Sequence, residues 1–209
     1  MALESFVKVN LKHDTKNKLI ILYRALMIRI RKEDGQMKTK LTAAVLASLL
    51  WLALGCGEQL PLTARATLMN PKGQKVGEAI LEETPKGVKI TVKVENLPPG
   101  LHALHIHEKG RCAPPDFKTA GGHFNPFGKQ HGLKNPQGPH AGDLPDIQVG
   151  PDGKGSLEVV APLVTLKAGP NSLFHPGGTS LMIHAHPDDH MTDPAGHAGD
   201  RIACGVILK

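Results

Sequence analysis

The stretch "LHALHIHEKGRC", residues 101–112, sets His105 and His107 two apart, with His102 just before them and Cys112 five residues after the pair. Alternate residues of a strand point to the same face, so His105 and His107 project together while Leu104 and Ile106 point the other way. One face is therefore apolar and the other carries imidazoles. Two imidazoles side by side suit two ligands on one ion, but an H-x-H pair alone is a weak signal.

The surrounding chain reads as short strands with turn residues between them. "TARATLMN" (63–70), "KVGEAILEE" (75–83) and "GVKITVKVEN" (87–96) precede the histidine strand. "GSLEVVAPLV" (155–164), "GTSLMIHAH" (178–186) and "RIACGVILK" (201–209) follow it. No stretch after residue 57 keeps a helical period, so the fold class is all-β, a sandwich or barrel. Residues 109–155, rich in Gly, Pro, His and Asp, show no periodicity. A loop that long is uncommon in a compact domain unless metal ligation or a disulfide orders it.

That segment contains "GGHFNPFGKQHGLKNPQGPHAGD" (121–143), which places His123, His131, His140 and Asp143 eight, nine and three residues apart. Imidazoles with one carboxylate form a ligand set suited to zinc.

Composition limits the alternatives. Residues 1–56 carry 10 Lys and Arg against 4 Asp and Glu, which is the whole net charge of +6; the remaining 15 basic and 15 acidic residues cancel. The basic character belongs to the leader, which argues against nucleic-acid binding. Within the leader, "MKTKLTAAVLASLLWLALGCG" (37–57) has two lysines, about a dozen largely apolar residues and small residues at its end, the pattern of a secretory signal sequence. The apolar run is short of the ~20 residues of a spanning helix. Met37 reads as a better start than Met1, with 1–36 an upstream extension outside the fold, 37–56 the signal sequence and 57–62 a linker. Cys56 in "LALGC" is a lipidation site, although Ala53 and Leu54 depart from the usual lipobox; ordinary cleavage after Gly55 is the alternative. Cys112 and Cys204 are then expected as a disulfide in an oxidising compartment, against two unrelated buried thiols.

With these motifs in view, residues 63–209 resemble a copper/zinc superoxide dismutase of the bacterial exported kind. The resemblance rests on "HIHEKGRC", "GGHFNPFGKQHG", "HAGDLPD" and "GDRIACGVI", in that order. It implies a Greek-key β-sandwich or flattened eight-stranded barrel with long metal-binding and electrostatic loops. One copper and one zinc per subunit are implied. Copper would be held by His105, His107, His123 and His184, and zinc by His123, His131, His140 and Asp143, with the His123 ring shared. His184, in "SLMIHAH", is preferred over its neighbour His186. Asp188, in "HPDDH", would link a copper histidine to a zinc histidine. Arg201, in "GDRIAC", would draw the superoxide anion. His123 and Arg201 are thus the expected catalytic residues.

A metal carrier on the same scaffold is the rival reading, and it has no need of Arg201. The family's lysines are missing from "AHPDDHMTDPAGHAGD" (185–200), which instead holds His186, His190 and His197, and their role stays open. The resemblance implies an exported protein, periplasmic or lipid-anchored at Cys56. Family members occur as homodimers and as monomers, and the sequence does not choose between them.

Overall fold

The computed structural model describes residues 62–209. The start at Met1 or Met37, the signal sequence and Cys56 lie outside the described residues. Nine strands follow in order: β1 (Thr63–Met69), β2 (Lys75–Thr84), β3 (Gly87–Val94), β4 (Gly100–His102), β5 (Leu104–His107), β6 (Ile147–Val149), β7 (Gly155–Ala161), β8 (Ser180–His184) and β9 (Arg201–Val206). All pair antiparallel, in one sheet of order β4-β6-β7-β3-β2-β1-β9-β8-β5.

The two ends of that order, β4 and β5, are consecutive in the chain and separated only by Ala103. One extended run therefore makes both edges of the sheet, and the sheet curls into a nearly closed barrel with little free edge. Counted as one strand that changes partners, β4 and β5 give the expected eight. The β3–β4 and β7–β8 connections skip over neighbouring strands, the Greek-key feature of the fold.

Most strands alternate as their sequences require. Ala64, Ala66 and Leu68 of β1, and Val88, Ile90 and Val92 of β3, face a core that also takes Ala79 and Leu81. The register Leu81↔Ile90 and Ala79↔Val92 sets those side chains opposite one another. The outer face is charged, with Lys89 Nζ 2.8 Å from Glu82. The β2–β3 turn requires glycine at 87, because its φ is +116° and a Cβ there would meet the Ala161 carbonyl at 2.4 Å.

Strands β5 and β8 break the alternation, since every residue in both is buried. Leu104, Ile106, Leu181 and Ile183 fill the barrel core. His105, His107, Met182 and His184 are buried on the outer side, beneath the long segment after β5. That segment is stitched to the strand by backbone bonds: Ile106 N–H to Gly142 O at 2.8 Å, Phe124 N–H to Ile106 O at 2.8 Å, and Gly142 N–H to Phe124 O at 2.9 Å. Gly142 has no substitute at this crossing, because a Cβ would stand 2.3 Å from the Ile106 carbonyl.

The segment also contains a 3-10 turn, Lys118–Ala120, and β6, neither expected from the sequence. A second small apolar cluster, Phe117, Ala120, Met182 and Cys204 with Cys112 against it, fastens the segment to the outside of the barrel. Full burial of Phe117 contributes on the order of 2–3 kcal/mol. The Cys112–Cys204 disulfide closes the same contact, 92 residues apart in sequence.

In the chain-entropy description, that loop length is worth on the order of 4 kcal/mol. Cys204→Ser should lower the stability of the metal-free protein by about that amount in denaturant titration. Identical midpoints for wild type with and without reductant would contradict it.

Candidate metal centre

Six imidazoles and two carboxylates meet between the outer wall of the barrel and the segments covering it: His105, His107, His123, His131, His140, His184, Asp143 and Asp188, all buried. Strands β5 and β8 present the first pair and His184. Backbone bridges His107↔His123 and His105↔Asp143 bring the loop residues alongside β5.

In the first pocket, one nitrogen of each ring is committed. His105 Nε2–H donates to Asp188 Oδ2 at 2.8 Å, and His107 Nδ1–H donates to the Gly121 carbonyl at 3.0 Å. His184 Nδ1–H donates to the Gly199 carbonyl at 3.2 Å, and His123 Nδ1 lies 2.9 Å from Asp143 Oδ1. The nitrogens left over are His105 Nδ1, His107 Nε2, His123 Nε2 and His184 Nε2. All four are buried and none has a hydrogen-bond partner among the described residues.

A buried unpaired polar group costs about 1–3 kcal/mol, so four lone pairs in one pocket are not explained by packing. The ligand atoms of these four residues lie within 4.8 Å of one another. Metal–nitrogen bonds of about 2 Å draw such a set together, and neutral imidazoles with their second nitrogen pinned are suitable ligands.

The second pocket is built on Asp143. Its Oδ1 lies 2.9 Å from His123 Nδ1, 3.0 Å from His131 Nδ1 and 3.5 Å from His140 Nδ1. His140 Nδ1 is 3.4 Å from His123 Nδ1. Tetrahedral zinc with bonds of about 2.0–2.1 Å needs ligand atoms about 3.3 Å apart, close to this spacing. Asp143 Oδ2 is fixed by the N–H groups of Gly132 at 2.8 Å and His140 at 2.9 Å. His105 also falls within 4.8 Å of His123, His131 and Asp143. Its Nε2 is spoken for by Asp188, while His140 Nδ1 stands 3.5 Å from Asp143 Oδ1. His123 thus serves both pockets, Nδ1 in one and Nε2 in the other.

Asp188 joins the two pockets by a further route. Its Oδ1 accepts from His131 Nε2 at 2.9 Å while Oδ2 accepts from His105. His184, not His186, reaches the first pocket; His186 is exposed. Arg201 is half-buried and donates from Nη1 to the Phe117 carbonyl at 2.8 Å and from Nη2 to the Gly121 carbonyl at 2.7 Å. Gly121 O therefore holds both His107 and Arg201.

Sequence reading missed Phe117 and Gly121, because main-chain acceptors carry no side-chain signature; the glycine at 121, which takes a φ of +74°, was the only hint in the sequence. It also gave no role to His102, whose Nδ1 and Nε2 each lie 2.8 Å from a carbonyl, those of His184 and Pro98.

The two pockets differ electrostatically. Burial, reinforced by neighbouring rings, lowers His105 to about 3 and His107 to about 2, and burial lowers His184 to about 4. The positive charge of Arg201 adds to the effect on His107 and His184. His131 goes the other way: burial alone would lower it, but carboxylates at both nitrogens raise it to about 9. Burial opposes ionisation of Asp143 and Asp188, yet the histidine hydrogen bonds hold both well below the usual carboxylate range. One pocket is thus a set of neutral lone pairs, and the other holds a proton where a cation belongs.

The chain is similar to known proteins. Residues 75–207 match the family model described as copper/zinc superoxide dismutase. The chain is 56% identical over 148 residues to superoxide dismutase [Cu-Zn] 1 of Aquifex aeolicus, covering 70% of this chain and 88% of that protein. It is 52% identical over 170 residues to superoxide dismutase [Cu-Zn] 2 of the same organism, covering 80% and 98%. Among solved structures, the Cu/Zn superoxide dismutase from Brucella abortus superimposes with a TM-score of 0.58 at 34% identity, covering 69% of this chain and 99% of that one. A SOD-like protein from Bacillus subtilis gives 0.67 at 41%, covering 69% and 97%.

The charge difference predicts different proton counts on metal uptake. His131 binds its proton up to about 9 and must release it from Nδ1 to admit a metal, whereas His105, His107 and His184 have no added proton to lose above pH 5. Zinc addition to the metal-free protein at pH 7 should release about one proton and bind more tightly as pH rises toward 9; Cu(II) should release almost none. Calorimetry in buffers of different ionisation enthalpy reads this, and equal release for the two metals would refute it.

Proposed function

The chain belongs to the copper/zinc superoxide dismutase family, and we propose how its own residues carry that activity. It is an oxidoreductase that converts two superoxide anions and two protons to dioxygen and hydrogen peroxide. In our assignment His105, His107, His123 and His184 hold copper, and His123, His131, His140 and Asp143 hold zinc. The observation that carries it is the set of four buried, unpartnered ring nitrogens, one of them on a ring whose other nitrogen faces Asp143.

Bound copper supplies one-electron redox chemistry, and bound zinc is redox-silent. The protein's residues supply the rest. His107, His184 and His105 are fixed as neutral ligands by Gly121 O, Gly199 O and Asp188. His123 is held at Nδ1 beside Asp143, so its Nε2 would hold copper and, when not bound to it, would be the atom to take up a proton and pass it to the reduced product. Arg201 is anchored by two carbonyls near His107 and His184, a fixed cation for a small anionic substrate. A carrier of metal gains nothing from such a cation, which favours catalysis.

Residue 201 therefore separates the two. Arg201→Ala should lower kcat/KM for superoxide about tenfold or more and weaken its salt dependence, at unchanged metal content. Arg201→Lys should fall between. Equal rates for wild type and the alanine variant would favour metal carriage.

We further assign the enzyme to the outside of the cytoplasm, in the periplasm or anchored to a membrane through Cys56. The leader sequence supports this, as does the Cys112–Cys204 disulfide, a bond suited to an oxidising compartment. Mass spectrometry of the native protein should find Cys56 as the acylated first residue, and Cys56→Ser should release the protein from membranes. A mature protein starting at any other residue ends the lipoprotein assignment. The mature chain should also absorb weakly at 280 nm, since Tyr23 and Trp51 are the only tyrosine and tryptophan.

A further inference from the structure

The three histidines of residues 185–200 do not share one environment. His186 and His197 are exposed, and His197 Nδ1 lies 3.1 Å from Asp189 Oδ2. His190 is turned inward. Its side chain is 14% exposed and stands between two carboxylates: Nδ1 is 3.3 Å from Asp188 Oδ2, and Nε2 is 3.8 Å from Asp146 Oδ1. The contact to Asp188 is one of proximity, since Nδ1 makes no aligned hydrogen bond.

The main chain at this residue serves the same neighbours. His190 N–H donates to Asp188 Oδ1 at 2.7 Å, and its carbonyl accepts from Lys134 N–H at 2.9 Å, three residues beyond His131. Asp146 in turn accepts from the Asp188 N–H at 3.2 Å. Residue 190 keeps a φ of 59°, which costs a non-glycine residue on the order of 1 kcal/mol, so its ring is delivered there against a local penalty.

Asp146 and Asp188 thus stand on either side of one ring. Burial, with the charge of Asp188 adding, raises the Asp146 acid. A ring with one nitrogen toward each ties the positions of the two carboxylates together. We propose that His190 is a positioning residue: by bridging Asp146 and Asp188 it keeps the Asp188 carboxylate seated on His105 and His131 together, and so controls how tightly the zinc-side pocket retains its ion. Among the described residues no hydrogen bond or ion pair joins the ring to a proposed ligand, and it acts through Asp188.

The proposal rests on the zinc assignment made above, and its test keeps the two apart. Zinc-loaded, copper-free protein is titrated against a chromophoric chelator. His190→Leu, which removes both nitrogens, should weaken zinc retention about tenfold, the lower end of what outer partners of metal ligands contribute. His190→Asn places an amide nitrogen where Nδ1 stands and tolerates the same φ, so it should stay within about threefold of wild type. Asp146→Asn keeps the acceptor for the Asp188 N–H but removes the charge; it should weaken retention alone and add nothing to His190→Leu. As a second readout, the Cu(II) EPR spectrum of the fully loaded His190→Leu protein should move toward that of zinc-free wild type.

Zinc retention by His190→Leu within twofold of wild type, or strictly additive effects at 146 and 190, overturns the proposal. If His190→Leu does not fold, Asp146→Asn decides alone: weaker retention upholds it and unchanged retention overturns it. Wild-type protein that binds no zinc would instead overturn the metal assignment itself.

Discussion

Strand β5 is buried on both faces, and the organisation of the site follows from that. A barrel strand normally gives one face to the core and the other to water. Here Leu104 and Ile106 satisfy the core, while His105 and His107 on the outer face are covered as completely as those two. Covering imidazoles removes their water, so every ring nitrogen must find a partner in the cover or a metal. The segment after β5 does both: it docks on the strand through Ile106, Phe124 and Gly142, and it brings His123, Asp143 and the Gly121 carbonyl to the rings.

The same burial produces opposite protonation on the two sides of one shared ring. Where the remaining partners are carbonyls and a single carboxylate, desolvation prevails and the histidines stay neutral. Where His131 has a carboxylate at each nitrogen, attraction outweighs desolvation and the ring keeps its proton. A cation suits the second pocket whether it is a proton or a metal, so Asp143 and Asp188 are never left as bare buried charges. His123 and Asp188 each reach both pockets, which makes the occupancy of one an influence on the ligand geometry of the other.

Much of this was legible in the sequence, for physical reasons. Alternation in β1, β2 and β3 is strong because one face of each meets the core and the other meets water. The spacing of His105 and His107 is a strand period, and the later candidate ligands are chemically distinctive residues in a loop rich in Gly and Pro. What was not legible depends on main chain and distance. Strand β6 is three residues long, too short to display a period, and β4 and β5 read as one strand because only their partners differ. The carbonyls of Phe117 and Gly121 leave no side-chain trace. The inward turn of His190 depends on Asp146 and Asp188, 44 and two residues away, and no local pattern distinguishes it from His186 or His197.

The disulfide shows how stability and alignment are joined in this architecture. Cys112 and Cys204 pin the segment that carries Phe117 and Gly121, and Cys204 is three residues from Arg201 on β9. The guanidinium is held by the carbonyls of those two residues, so its place is set by how that segment lies on the barrel. Phe117 adds to this from below: its ring is wholly buried in the cluster with Met182 and Cys204, while its carbonyl faces Arg201. Loosening the segment would therefore act twice, once by releasing buried apolar surface and once by freeing the cation and His107 from their shared acceptor. A flexible arginine would still carry its charge, but it would spread that charge over many positions and lose the fixed dipoles that hold it beside the histidines. The bond that closes the longest loop is thus also the one that fixes where the guanidinium sits.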